Sequence, residues 1–557
     1  MKNFSKLILA AALTGFVITL SGCSLFGSLN KKSSLSKATS DNYTLIDAET
    51  MKVSSSCAGK TAFLVKVNYG SNTVSPKASG YAYSSERSAC EENTDISETK
   101  ELFYGDEEHS FESHCGFERA NIYMDKPVAC SEREATAYVP YEEPDYKLGD
   151  TDYFYIDLND DNTTPYSYKE GTLKAIGTHC FVWYFSSSKS FIKESEIDFD
   201  TVAEKFDQIY STETSIFGST QMYANYNNTI KTTSDHHVNI LVFDIYGDAV
   251  ESNTNSGTYG FFRSHDFFLN SKQNINNKDS NERLVINVDS WILQSTPGII
   301  YSTLAHEFQH LLNYVSKGLN NNQDITTWFT EMQSLLCEEI FQHILNIKDE
   351  DSPKDRLYYF NATHHLGFGD YTWTYAKQKG YNGGFDYSNT YAFGTYLMHN
   401  YGGIDLIHQI AVNSYIDEDA ITNALKTLGY DDDFTSVLCK FGQIIANYDG
   451  TSSNFLTLNK SLSANSKYSY IGLDAIDLTQ YDLSTYTTYK NLVQSGIISN
   501  NSGKYNKVPY IYQKSENISL LPYGISVHYL GKIGEDGSTF SFTLPSDDKV
   551  AMFLMIK

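Results

Sequence analysis

Five consecutive residues, His306-Glu307-Phe308-Gln309-His310, constrain this chain more than any other stretch. On an α-helix, positions i and i+4 share one face, so both imidazoles can reach a single metal ion. Glu307 sits about a third of a turn away, close enough to take a proton from water activated by that ion. The order therefore encodes a hydrolytic centre as well as a metal site. It also constrains the fold, because two histidines hold zinc poorly. A catalytic site needs a third protein ligand and an open position for water. Leu304, Phe308, Leu311, Leu312 and Val315 give the helix apolar stripes for burial beside a core. A His-Glu-His cluster buried there without a metal would be costly to desolvate.

The flanks supply the remaining parts. Pro297-Gly298 and Gly318 act as start and stop signals and predict a helix from about Ile299 to Ser316. Helical patterns continue through roughly Thr326–Leu345 and beyond Tyr391. Upstream, Val202, Phe206 and Ile209 mark an amphipathic helix, and two strands follow at Val238–Phe243 and Arg283–Val288. Gly257–Phe262 lies between those strands as a loop or short strand. Sheet first and helices after predicts an α+β domain over residues 196–450. Its second helix carries Glu331, with twenty residues between it and His310, a gap that suits a helix end, a reversing loop and an antiparallel return. Glu331 is thus the third-ligand candidate, with Glu338 and Glu339 as competitors. Glu338, seven residues or about two turns on, shares its face and could hydrogen-bond a ligand from behind.

At 557 residues the chain calls for two or three domains, and its 43 tyrosines point to half-buried strands outside the helical region. Short β-type runs such as Thr61–Val67, Tyr153–Ile156 and Cys180–Phe185 predict a β-rich accessory domain over 43–190. A second β-rich module is predicted over 454–557, from runs such as Val508–Tyr512 and Ile525–Tyr529. The loop Asp157-Leu158-Asn159-Asp160-Asp161-Asn162 could hold calcium, although a polar hairpin turn is the favoured reading. A net charge of −26 argues against binding to nucleic acid or an anionic membrane by charge.

The N-terminus reads as an export signal. Lys2 and Lys6 precede an apolar run from Leu7 to Leu20, short for a membrane span. The run closes on Leu20-Ser21-Gly22-Cys23, which resembles the bacterial lipoprotein signal box. That resemblance implies a signal over 1–22 and lipidation of Cys23, and the Ser/Lys/Asn-rich composition that follows reads as a flexible tether over 23–42. A plain secretory signal or an uncleaved anchor are the alternatives. A lipid would hold the chain on a membrane face outside the cytoplasm. Ser24 after the cysteine is compatible with the outer membrane or cell surface. Seven further cysteines, Cys57, Cys90, Cys115, Cys130, Cys180, Cys337 and Cys439, could form disulfides after export, with at least one left over.

The run His306–Tyr314 followed by Trp328-Phe329-Thr330-Glu331 resembles the hyicolysin family of zinc metallopeptidases. That family typically shows His-Glu-aromatic-Gln-His-Leu-Ile-Asn and then Trp-Leu-Asn-Glu-Gly-Leu-Ser. The similarity covers roughly residues 150–450 and is strongest over 280–340. Thr330, Met332 and Gln333 stand where the family often has Asn, Gly and Leu. The resemblance implies a thermolysin-like, gluzincin fold with a mixed β-sheet and an active-site helix. It further implies zinc held by His306, His310 and Glu331, Glu307 as the proton-transferring base, and endopeptidase action on extracytoplasmic protein or peptide. Gluzincins often stabilise the oxyanion with a downstream Tyr or His. Tyr391 is the candidate here, with His364, His365 and His399 behind it. Two other functions stay open: a surface-binding lipoprotein with weak or no turnover, and a non-proteolytic zinc amidase or esterase. The Gly-x-Met-x-Asn loop of the gluzincin aminopeptidases is absent from the sequence, which favours endopeptidase.

Overall fold

The computed structural model describes residues 34–83, 142–159, 166–223, 226, 228–252, 257–272, 279–370, 372, 385–447, 462–465, 467–468, 470–473, 476, 478, 481, 509–514 and 518–557. Cys23, Cys90, Cys115 and Cys130 lie outside them. Cys57, Cys180, Cys337 and Cys439 are free thiols, the last three buried. No helix among the described residues is long and apolar enough to cross a membrane.

The fold is mixed α+β. Residues 34–37 are helical and Leu35 and Ala38 are buried in the main core, so the flexible tether read over 23–42 does not hold through its C-terminal end. Then come β1 (Tyr43–Leu45), β2 (Thr50–Val53), β3 (Thr61–Asn68) and β4 (Tyr81–Tyr83). Next come β5 (Thr151–Ile156), β6 (Ser167–Ile176), β7 (Cys180–Tyr184), α1 (Phe199–Phe217), β8 (Val238–Phe243), β9 (Gly260–Phe262) and β10 (Val285–Asp289). The helices α2 (Ser290–Ser295), α3 (Pro297–Asn313), α4 (Thr327–Phe341), α5 (Leu357–Thr363), α6 (Phe385–Asn400), α7 (Ile404–Val412), α8 (Asp417–Thr427) and α9 (Phe434–Ala446) follow. The chain closes with β11 (Leu462–Asn465), β12 (Tyr470–Leu473), β13 (Tyr512–Gln513), β14 (Ile525–Lys532), β15 (Ser538–Thr543) and β16 (Val550–Ile556).

Strands β5 to β10 form one curled six-stranded sheet in the order β5-β6-β7-β8-β10-β9. Its centre, β7-β8-β10, is parallel, and both flanks are antiparallel. The unbroken apolar run of β8 follows from burial on both faces. Ile240 and Val242 join the core under the helices, whereas Leu241 and Phe243 join Phe154, Trp183 and Phe185 on the opposite face. The buried Asn239 is satisfied: it accepts from Trp183 Nε1 at 2.9 Å and donates to the Leu284 carbonyl at 3.1 Å. Helix α3 lies over the first face between α1, α4 and the β9–β10 edge, with Phe308 stacked on Tyr210 and edge-on to Phe206.

Strand pairing divides the chain differently from the linear partition read in the sequence. Residues 43–190 do not make one accessory domain. β5, β6 and β7 belong to the sheet beneath α3. β1 and β3 join the C-terminal strands in a second sheet, β1-β16-β3-β14-β13, while β2 and β4 flank β15. The cause is the burial of β3: seven of its eight residues are buried, so both its edges and both its faces need cover. β14 and β16 take the edges. One face packs on α9, where Gly442 lets the helix approach Val65 and Val67. The other face packs on Phe540 and Phe542. The 454–557 module is thus not separate either, since Phe63, Val65, Val527 and Phe553 share one continuous core with the helices.

Two helix ends depart from their sequence signals: the Thr327–Phe341 helix stops short of Leu345, and the helical path of α3 runs on past Ser316. Pro297 opens α3 as expected, but Gly318 does not stop it. Residues Tyr314–Asn320 continue as a π-helix, with Gly318 closely packed under the Tyr314 ring. Lys317 explains the continuation. Its buried ammonium donates to the carbonyls of Ile410, Asn413 and Tyr415 at 2.6–2.7 Å, pinning this segment to the end of α7. The loop considered for calcium is described only at Asp157, Leu158 and Asn159. There Asp157 Oδ1 accepts the Asn159 N–H at 3.3 Å, as in a polar turn.

Truncation of the chain after residue 517 removes β14, β15 and β16 and leaves β3 without neighbours. Limited proteolysis should then cleave rapidly within residues 34–83 while the intact chain resists. A protease-stable fragment spanning 43–190 would contradict the shared sheet.

Candidate metal centre

Helices α3 and α4 run antiparallel in contact, and their meeting faces carry the site. His306, His310 and Glu331 are all buried, and their ligand atoms lie within 4.8 Å of one another. Among the described residues no other group of three or more His, Cys, Asp or Glu side chains comes this close. Glu331 stands between the rings, with Oε2 3.2 Å from His306 Nε2 and Oε1 3.6 Å from His310 Nε2. The rings lie nearly perpendicular, with centroids 4.7 Å apart. Two imidazole nitrogens and one carboxylate match a catalytic zinc set that leaves room for water.

Each ring is held from behind. His306 Nδ1 lies 2.8 Å from Glu338 Oε1, and Ser302 Oγ donates to Glu338 Oε2 at 2.9 Å. His310 Nδ1 lies 3.0 Å from Thr330 Oγ1 and 3.1 Å from Ser334 Oγ. As the Nδ1–H tautomer, His310 donates to those hydroxyls and keeps its Nε2 lone pair on the Glu331 side. Asn313 Nδ2 also donates to Thr330 Oγ1, at 2.8 Å. Thr330, a departure from the family pattern, is therefore an orienting acceptor for a ligand rather than packing alone.

Electrostatics separates the two histidines. Burial pulls the His306 ring toward neutrality, but the carboxylates of Glu331 and Glu338 on its two sides win and hold it well above the usual histidine range. Burial, with His306 beside it, drives His310 down to about 3. Burial alone would raise Glu331, yet the protonated His306 ring, together with the Arg356 charge, holds it below the usual carboxylate range. Glu338 is likewise pushed up by burial and pulled lower overall by Arg356 and His306. In the metal-free protein the proton on His306 thus occupies a place that a cation can take.

Glu307 is 3% exposed and faces the edge strand β9. A Cβ on Gly260 would lie 2.6 Å from Thr303 Cγ2, 2.7 Å from the Asn287 carbonyl and 3.4 Å from Glu307 Cγ. A glycine is needed there for the strand to lie this close to the helix that carries Glu307.

Of the downstream candidates, Tyr391 is not the tyrosine at the triad. It is buried one turn further along α6, with its hydroxyl toward Glu339 and Thr395. Tyr387 takes the place beside the ligands. Its hydroxyl donates to Glu331 Oε1 at 3.5 Å, and its ring lies 6.5 Å from that of His306. Tyr387 and Tyr391 share a helix face, and periodicity alone cannot choose between them. Glu339 is no ligand, because it pairs with His399 at 2.8 Å. His364 and His365 sit at the junction with the C-terminal strands. The ring nitrogens of His364 meet the carbonyls of Ile525 and Tyr510, and His365 Nδ1 meets the Tyr512 hydroxyl. Arg356 and Ser302 were not singled out in the sequence, and no local pattern marks them, whereas Ser334 stands at the serine that closes the Trp-Leu-Asn-Glu-Gly-Leu-Ser pattern.

Fold and site together define a mixed α+β protein with a buried His-His-Glu group able to hold a metal ion. No family model matches the chain, and no curated protein matches it. The likeness to the hyicolysin family therefore rests on the residues quoted above.

A cation binding at His306 Nε2 must displace a proton, whereas His310 is already neutral and Glu331 already ionised near neutral pH. Apparent zinc affinity should therefore fall about tenfold for each pH unit lowered below the His306 pKa. Competition titrations with a chromophoric chelator between about pH 6 and 7.5 measure this. An affinity that does not change with pH would contradict the protonated His306.

Proposed function

We propose that this chain is a zinc-dependent endopeptidase acting on protein or peptide outside the cytoplasm. The observation that carries the reading is the convergence of His306, His310 and Glu331 in one buried cluster with Glu307 on the same helix. The donor set fits zinc, and His306, His310 and Glu331 would hold it. When bound, zinc lowers the pKa of water and polarises a carbonyl.

The chain's own residues do the rest. Glu307 accepts a proton from the attacking water at its carboxylate and delivers it to the leaving amine nitrogen. Tyr387 offers its hydroxyl hydrogen to the oxyanion that develops on the former carbonyl oxygen. Glu338, Thr330 and Ser334 fix the two rings so that both Nε2 atoms stay on the Glu331 side, where the metal would be held. Burial of the cluster keeps bulk water from competing for these contacts. The location outside the cytoplasm and the anchor at Cys23 rest on the N-terminal sequence alone.

The full chain, purified in detergent, tests this with zinc stoichiometry and cleavage of denatured casein. Glu307→Gln should keep its zinc and lose about 10²- to 10⁴-fold in kcat. Zinc-loaded wild type with no chelator-sensitive cleavage of any protein tested would sink the protease reading.

A companion pair assigns the tyrosine. Tyr387→Phe should lower kcat by about 10²- to 10³-fold with little change in KM. Tyr391→Phe should leave kcat near wild type, and the reverse ranking would return the role to Tyr391.

A further inference from the structure

We infer that Arg356 is a positioning residue for the metal centre, holding Glu338 against His306 and Tyr387 against Glu331 with a single guanidinium. The inference rests on the metal-centre reading above and goes beyond it by naming the residue that joins the two sides of the site.

Arg356 ends the turn Pro353–Arg356 that leads into α5 and is 8% exposed. On one side its Nη2 lies 3.7 Å from Glu338 Oε1, the same oxygen that lies 2.8 Å from His306 Nδ1. On another side its guanidinium carbon lies 4.9 Å from the centre of the Tyr387 ring. Its main-chain carbonyl accepts from Ser388 Oγ at 2.6 Å, one residue beyond Tyr387. Backbone and side chain therefore grip the same turn of α6. Three elements that are distant in sequence, α4 through Glu338, α6 through Tyr387 and the turn before α5, meet at this one group.

Chemistry explains why an arginine suits the place. A planar guanidinium can present its face to a ring and its edge to a carboxylate, which the compact ammonium of lysine cannot do. Its charge is permanent near neutral pH. That charge attracts Glu331 and Glu338 and also reaches Asp386, all three of them buried. Without it, Glu338 loses the cation that offsets its burial, and its hold on the His306 ring loosens. Tyr387 would lose the group that fixes the tilt of its ring.

The test compares full-length wild type, Arg356→Met, Arg356→Lys and His399→Gln. His399 pairs with Glu339 in the same α4–α6 interface but two turns from Glu331. The His399 variant thus reports any general loosening of that interface. Zinc affinity is measured by chelator competition at fixed pH, the absorption bands of bound cobalt(II) report ligand geometry, and thermal unfolding verifies the fold. Arg356→Met should weaken zinc binding by about 10- to 100-fold and shift the cobalt bands. Arg356→Lys should fall between Met and wild type, and it carries the test if the Met variant does not fold. His399→Gln should bind both metals as wild type does. Wild-type affinity and an unchanged cobalt spectrum in the Arg356 variants would overturn the inference. So would an equal loss in His399→Gln. Wild type that takes up neither metal would overturn the centre itself, and the inference with it, before any variant is compared.

Discussion

The carboxylate of Glu331, buried between two imidazoles, organises the molecule around it. In a low-dielectric interior an ionised carboxylate is tolerated only beside compensating charge and hydrogen bonds. Here those come from His306 and Arg356, with the Tyr387 hydroxyl donating to one oxygen. Bringing Glu331 to that place requires α4 to return antiparallel along α3. The same packing sets Glu338 behind His306, and Thr330 and Ser334 behind His310. The contacts that orient the ligands are thus the contacts that dock the two helices.

The rest of the fold keeps α3 from shifting. Below it lies a sheet packed on both faces, whose parallel centre and antiparallel edge bring β9 within van der Waals reach of Glu307. At its far end, Lys317 locks the π-helical continuation onto α7. The N- and C-terminal strands close into a second sheet that packs on α9, and the His364 ring stitches that sheet to the end of α5. α5 follows directly on Arg356, so the closing sheet and the metal centre are joined by one short helix.

Local chemistry was legible in the sequence wherever it depended on spacing along one element. The i, i+4 histidines, Glu331 after a gap long enough for a reversing loop, and Glu338 two turns beyond it all fall where helical geometry puts them. The strands at 61–68, 151–156, 180–184 and 238–243 were readable from their apolar and aromatic runs. Tyr387 was missed in favour of Tyr391 because both lie on one face of α6, and the docking of that helix on α4 selects which hydroxyl meets Glu331. Gly318 carries a stop signal, but Lys317 beside it finds three carbonyls from residues more than ninety positions away.

The division between the two levels follows from the range of the forces. Helical and strand periodicity, charge and the His-Glu-x-x-His order are local, and they specify the donor atoms of the candidate metal site and the carboxylate that shares their helix. Which strands share a sheet is set by burial of both edges of β3, and its neighbours begin more than 450 residues later. Arg356 likewise gains its place only when a turn, α4 and α6 converge on one point. Desolvated charges and buried strand edges are satisfied through space rather than along the chain, so the supporting shell of the site and the boundaries of its domains emerge only in three dimensions.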